Sequence, residues 1–163
     1  MHPSPAILAL LQDPPRVIPR FQKAVFGLTV EDPVAGAASA MVARGFSQVP
    51  VYDGERFAGL MTTDDIARWL GRCVGDDRFN LQETPLTDVL ACTAAEENVA
   101  FFPQDATLFE ALEAFQAGER SGRRLEAILI TASGSPAEPL LGIITPLDIP
   151  TIYETLERTP AES

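Results

Sequence analysis

The chain has 163 residues, 46% of them hydrophobic, enough for one ordinary domain or two small repeats around a real core. A formal net charge of −11 and a pI near 4.4 argue against non-specific binding to nucleic acid or anionic membrane, both of which want a basic face. No apolar run approaches the roughly 20 residues needed to span a bilayer. Ala6 to Leu11 lacks a signal peptide's basic flank, and Cys73 and Cys92 make neither metal spacing nor a disulfide framework, so a reduced, cytoplasmic protein is expected.

Residues 1–20 read as an N-terminal extension, punctuated by Pro3, Pro5, Pro14, Pro15 and Pro19. Pro5 to Gln12 fits one short helix with Pro in its first turn and Ile7, Leu8, Leu10 and Leu11 on one face. It either docks on the body or a partner chain, or forms a loose tail. His2, at a frayed end, is no candidate base or metal ligand.

Residues 21–71 read as a first repeat. Val25 to Val30 is a short strand or extended segment, and Glu31-Asp32-Pro33 an acidic helix start with Pro at the first helical position. Val34 to Arg44 is Ala-rich, with Val34, Ala37, Ala38, Met41 and Val42 on one face and Gly45 as its cap. Ser47 to Tyr52 is a β-branched strand, Asp53-Gly54 a hairpin turn, and Arg56 to Met61 the returning strand. Asp64 to Leu70 is a second helix, with Gly71 closing it. The order is β-α-β-β-α. Residues 72–98 form a linker with a short helix, Thr84 to Leu90, carrying Pro85 at its first position.

A second repeat spans residues 99–158, with 159–163 as a tail. Val99 to Phe102 is its first strand, and Asp105-Ala106-Thr107 matches Asp32-Pro33-Val34 at an offset of 73. Leu108 to Phe115 is a helix with Leu108, Ala111, Leu112 and Phe115 inward. Leu125 to Thr131 and Leu140 to Ile144 are strands. Pro146 starts a helix that kinks or restarts at Pro150 and runs to about Arg158. The offset is 83 by Thr145, which places ten inserted residues in Gly118 to Arg124 and Ser133 to Pro139, both read as loops.

The repeats centre on two strand-to-helix junctions, Gly59-Leu60-Met61-Thr62-Thr63-Asp64-Asp65-Ile66 and Gly142-Ile143-Ile144-Thr145-Pro146-Leu147-Asp148-Ile149, with Thr62/Thr145 and Asp65/Asp148 both 83 apart. A helix N-terminus presents unpaired N–H groups and partial positive charge, which suit a phosphate. A Thr at the cap adds a hydroxyl, and an Asp one turn on accepts two hydrogen bonds, which suits a ribose diol. The plainer reading is a capping box that closes the helix on itself. Duplication after two Gly-led strands favours binding.

The β-α-β-β-α order, the Val49-Pro50-Val51-Tyr52-Asp53 core and the two Gly-x-x-Thr-x-x-Asp junctions resemble the cystathionine-beta-synthase (CBS) domain in its tandem pair, the Bateman module, over roughly residues 25–155. The resemblance implies an α+β (α/β) fold of two repeats packed with pseudo-two-fold symmetry. It also implies an adenosine-type ligand (AMP, ADP, ATP, S-adenosylmethionine or a cyclic dinucleotide such as cyclic di-AMP) in the cleft between repeats, and frequent pairing of modules into a disc-like homodimer. By the same resemblance Thr62 and Thr145 meet phosphate, Asp65 and Asp148 meet ribose hydroxyls, and Ser47, Gln48, Val49 and Pro50 line the base pocket with Thr29 and Val30 beside it.

The second repeat departs from this pattern. Leu125-Glu126-Ala127-Ile128 stands where the first has Pro50, and Phe101 and Phe102 either stack on a base or plug the pocket. Glu126 either accepts from an exocyclic amine or faces water, the favoured reading. Arg120, Arg123 and Arg124, like Arg44, Arg56 and Arg68, either reach phosphates or are solvated.

The expected function is a stand-alone regulatory module that binds an adenosine-containing ligand and signals to a protein partner in trans. The alternative is a structural or oligomerisation module with empty clefts. The chain lacks a Ser/His or Cys/His constellation, metal-ligand cluster or Walker-type loop, so catalysis is not expected and no cofactor is required.

Overall fold

The computed structural model describes residues 13–23, 25–73, 80–91 and 99–158. The chain divides into two compact units, residues 26–97 and residues 1–25 with 98–163. The first holds β1 (Leu28–Thr29), α1 (Val34–Arg44), β2 (Gln48–Asp53), β3 (Arg56–Thr62), α2 (Thr63–Cys73) and α3 (Leu86–Leu90). Its sheet runs β1-β2-β3, with β1 parallel and β3 antiparallel to β2. The parallel pair needs a crossover, which α1 supplies. The antiparallel pair needs only a tight turn, made where Gly54 takes φ 63°. Val34, Ala37 and Met41 of α1, Ile66 and Trp69 of α2, and Leu86 and Val89 of α3 share one core with the sheet.

The second unit repeats the plan with β4 (Val99–Pro103), α4 (Leu108–Ser121), β5 (Ala127–Thr131), β6 (Gly142–Ile144), a 3-10 turn (Pro146–Asp148) and α5 (Ile149–Arg158). β4 is parallel and β6 antiparallel to β5. Leu108, Ala111, Leu112 and Phe115 of α4 are buried against β5, β6 and α5, as their spacing predicts. The α+β class and the duplicated β-α-β-β-α order are therefore observed.

A segment from outside each β-α-β-β-α repeat closes it. In the first unit Val34 N–H donates to Thr84 O and Leu86 N–H to Asp32 O, both at 2.9 Å. In the second, Leu108 N–H donates to Pro15 O and Val17 N–H to Ala106 O, both at 2.8 Å. The arm continues as a single turn, Val17–Arg20, then meets β6, where Gln22 bridges Gly142 and Lys23 N–H donates to Leu141 O at 3.0 Å. A Cβ on Gly142 would strike the Phe21 carbonyl, so the junction's leading glycine lets the arm pass.

Several expectations are corrected. The bonds made by Val34 and Leu108 set the offset of the first helices at 74, not 73. Pro33 and Pro85 are N-caps in extended conformation (ψ 148° and 157°), not first helical residues, because they face each other in a bridge between the two helix starts. Val42 is 83% exposed, since α1 buries positions 34, 37 and 41 and the next residue turns outward. Gly71 does not end α2, which runs to Cys73. Gly118 to Ser121 is helix rather than loop, and α4 ends only at Gly122 (φ 77°). Gly118 is small because the returning chain passes close, with a Cβ 2.9 Å from Arg123 O. The strands of the second hairpin are shorter than expected, Ala127–Thr131 and Gly142–Ile144. The helix does restart beside Pro150, with α5 beginning at Ile149 after the 3-10 turn. Pro5 to Gln12, His2 and Cys92 lie outside the described residues.

The hairpin tip of the second unit organises around Glu138. Ser133 Oγ (2.7 Å), Ser133 N–H (2.8 Å) and Ser135 N–H (3.2 Å) all donate to its Oε1. These bonds, the Ser133 hydroxyl's first, hold the carboxyl below its ordinary range.

Tyr52, paired with Thr29, turns a hydroxyl inward with no hydrogen-bond partner among the described residues, and burial pushes its pKa up to about 12. Its folded pKa lies above the unfolded value of 10.0, so its contribution to stability is full below pH 10 and is lost as pH rises through about 12. Thermal melts of Tyr52→Phe should match or exceed wild type below pH 10, and the variant should lose less stability than wild type between pH 10 and 12.

Candidate ligand site at the strand-to-helix junctions

The two junctions begin alike, with a β-strand delivering a Thr to the start of a helix. In the first, Thr62 N–H donates to Asp65 Oδ2 at 2.9 Å and Asp65 N–H donates to Thr62 Oγ1 at 3.1 Å, a reciprocal box. In the second, Thr145 N–H donates to Asp148 Oδ2 at 2.9 Å, and Thr145 Oγ1 lies 3.4 Å from the same oxygen. There Asp148 N–H also reaches the Thr145 carbonyl at 2.9 Å, as a 3-10 turn requires. All four side chains are half-buried. Each Asp uses Oδ2 in the cap, and its Oδ1 makes no hydrogen bond with the described residues.

The cap therefore orients the carboxylate without exhausting it. One oxygen fixes the rotamer and the other can accept from an incoming hydroxyl. The Thr62 hydroxyl keeps a proton that can be donated to an anion, whereas the Thr145 hydroxyl donates to Asp148 Oδ2 at 3.4 Å. The plainer reading and the binding reading are thus compatible.

The first junction is tied down more firmly. The β2–β3 ladder reaches it through the pair Gln48–Thr62, and Thr63 N–H donates to Ser47 O at 3.0 Å. The second has Pro146 in place of Thr63, with no N–H to give, and its ladder stops at Ile128–Ile144, one residue short of Thr145. These differences let α2 begin at once, while α5 follows a 3-10 turn.

Ser47 and Gln48 stand next to the first junction through those contacts, followed along β2 by the buried Val49 and Pro50. Thr29 and Val30 do not join them. Thr29 pairs with Tyr52, four positions further along β2, about 13 Å at strand rise. Val30 O instead accepts from Thr87 N–H (3.1 Å) and Thr87 Oγ1 (3.0 Å), which seats α3. In the second unit Ile128 and Leu129 occupy the register places of Val49 and Pro50, so Leu129 rather than residues 125–128 replaces the proline. Phe102 packs on the core, and Glu126 is exposed. Arg44 stacks on Phe26 at 4.0 Å and Arg120 pairs with Glu113 at 2.8 Å, so those two cations are engaged elsewhere.

The sequence reading missed an open apolar groove of about 330 Å³ beside the first junction, lined by Met41, Val42, Phe46, Ser47, Thr63 and Ile66 among others. The apolar stripe of α1 points Val42 inward on spacing alone, and that hides the groove. Thr62 and Asp65 do not line this groove. Among the described residues no group of His, Cys, Asp and Glu could hold a metal ion, and no helix is long and apolar enough to cross a membrane.

Comparison with known proteins adds the family. The CBS domain model matches residues 21–72, which include the first junction. The first repeat is a CBS domain. Solved structures extend the likeness of fold to the second repeat. One described as a candidate acetoin utilization protein (AcuB), from Vibrio cholerae, is 21% identical, with a TM-score of 0.66 over 91% of this chain and 96% of that one. CBSX2 in complex with AMP is 13% identical, with a TM-score of 0.59 over 85% and 96%. MJ1225 from Methanocaldococcus jannaschii, described as a candidate archaeal homologue of g-AMPK, is 17% identical, with a TM-score of 0.62 over 94% of this chain and 51% of that one. Among curated protein sequences none matches the chain.

The unequal junctions should respond unequally to loss of the cap hydroxyl. Thr62→Ala removes the acceptor of Asp65 N–H and should cost about 1 kcal/mol, roughly 2–4 °C in Tm. Thr145→Ala should cost less than half of that in the same melts, because the Thr145 carbonyl already satisfies Asp148 N–H.

Proposed function

We propose that this chain is a non-catalytic CBS-pair sensor, which binds an adenosine-containing ligand (AMP, ADP, ATP, S-adenosylmethionine or cyclic di-AMP) at the Thr–Asp junctions and signals to a protein partner. The observation that carries the reading is the repeated cap with a spare Asp oxygen. Asp65 and Asp148 each present an oriented acceptor beside a helix start, the combination that a ribose phosphate matches. The AMP in the structure of CBSX2, which shares the fold, supports the ligand class. In this proposal Ser47, Gln48, Val49 and Pro50 lie on the base side of the first site, and a homodimer in the cytoplasm is the working form. Each unit exposes apolar side chains of its own for such a dimer to cover, Val42 and Phe46 in the first and Phe109, Leu147 and Tyr153 in the second.

A second reading keeps the same residues as helix caps in a structural module. The Thr–Asp bonds favour it, since each helix start is capped without a ligand. A thermal-shift panel with AMP, ADP, ATP, S-adenosylmethionine and cyclic di-AMP separates the two. A ligand at 100 times its Kd adds about 2.7 kcal/mol, a rise of roughly 5–10 °C in Tm. The expected result is a shift with at least one of these, lost in Asp65→Ala or Asp148→Ala. A panel without any shift would overturn the sensor in favour of the structural module.

A further inference from the structure

β6 is three residues long and does two jobs. On one side it pairs with β5; on the other, Gly142 bridges Gln22 while Leu141 O accepts from Lys23 N–H at 3.0 Å. Its last residue, Ile144, passes directly into Thr145. The arm and the second junction are therefore fastened to opposite ends of one three-residue strand. The second junction lacks the two restraints of the first, the ladder pair at its Thr and the N–H bond to the residue just before β2. Its geometry thus rests on β6 and on the Thr145–Asp148 bond. A glycine at 142 is required for the arm to lie where it does.

We infer that the N-terminal arm, residues 15–23, is a strap coupled to the second junction through β6. Holding Thr145 and Asp148 in place favours the docked arm, and a docked arm favours the closed junction. The coupling is reciprocal, as any equilibrium coupling between two sites must be. Its extension to ligand binding rests on the proposed function and names the regulated element: an adenosine ligand at Thr145 and Asp148 would tighten the strap. The coupling between junction and arm does not depend on that reading.

The test is amide hydrogen exchange of the full chain, read at Lys23. Asp148→Ala, without ligand, should speed Lys23 exchange by about 5-fold or more, the lower end of typical couplings. Asp65→Ala removes the corresponding cap of the other unit and should leave Lys23 within 2-fold. Equal effects of the two variants would mean general destabilisation and would overturn the inference, as would an unchanged Lys23 rate in Asp148→Ala. With AMP as probe, Lys23 protection should rise in wild type, and Gly142→Ala should weaken AMP binding at the second junction. AMP binding without any change at Lys23 would refute the link from ligand to strap. Absence of AMP binding would refute the proposed ligand class for AMP and, with it, AMP as the strap's trigger, while the Asp148→Ala result still decides the coupling of junction and arm.

Discussion

A helix begins with N–H groups that have no partner inside the helix. In this protein the first of these on α1 and α4, those of Val34 and Leu108, are satisfied by carbonyls from outside the repeat, Thr84 O and Pro15 O. The rest of each unit depends on that exchange. A three-stranded sheet and two helices leave one side of a small core uncovered. The segment that satisfies the helix start also fills the gap, with Leu86 and Val89 in the first unit and Val17 in the second. Backbone hydrogen bonding and apolar burial thus fix the same segment, and neither unit is closed by the β-α-β-β-α sequence alone.

The same economy operates at the junctions. Each Thr–Asp pair caps its helix, and the cap aims the carboxylate. A preorganised acceptor binds better than a mobile one because less freedom is lost on binding. The plainer structural role therefore prepares the site instead of competing with it. The two sites differ in stiffness: Thr63 donates to Ser47 O where Pro146 has no N–H to give, and the ladder reaches Thr62 but stops short of Thr145, so the helix starts at once in the first repeat and after a 3-10 turn in the second.

Much of this was legible in the residues. Strong turn chemistry placed the first hairpin at Asp53-Gly54, and spacing placed the buried face of α4. The duplication of Gly-x-x-Thr-x-x-Asp placed both junctions. The misreadings share a cause, long-range contact. Pro33 and Pro85 look like helix starters until they are seen facing each other across a bridge. Val42 fits an inward stripe locally, yet the packing of α1 leaves it at the surface beside a groove. Gly118 reads as the start of a loop, whereas it lies inside α4 and is kept small by chain returning from Arg123 to Leu125. Family likeness groups Thr29 and Val30 with the site, while pairing sets them at the far end of β2. Sequence periodicity reports which face is apolar, and it does not report what arrives to cover it.

The central claim is that the caps are also the ligand contacts, and residue-resolved mapping addresses it most directly. In amide ¹H–¹⁵N spectra of the protein titrated with AMP, the account expects the largest shifts at Thr62, Asp65, Thr145 and Asp148 or their immediate neighbours, in one repeat or both. Saturable shifts confined to residues away from both junctions, for example along the groove lined by Val42 and Phe46, would contradict it.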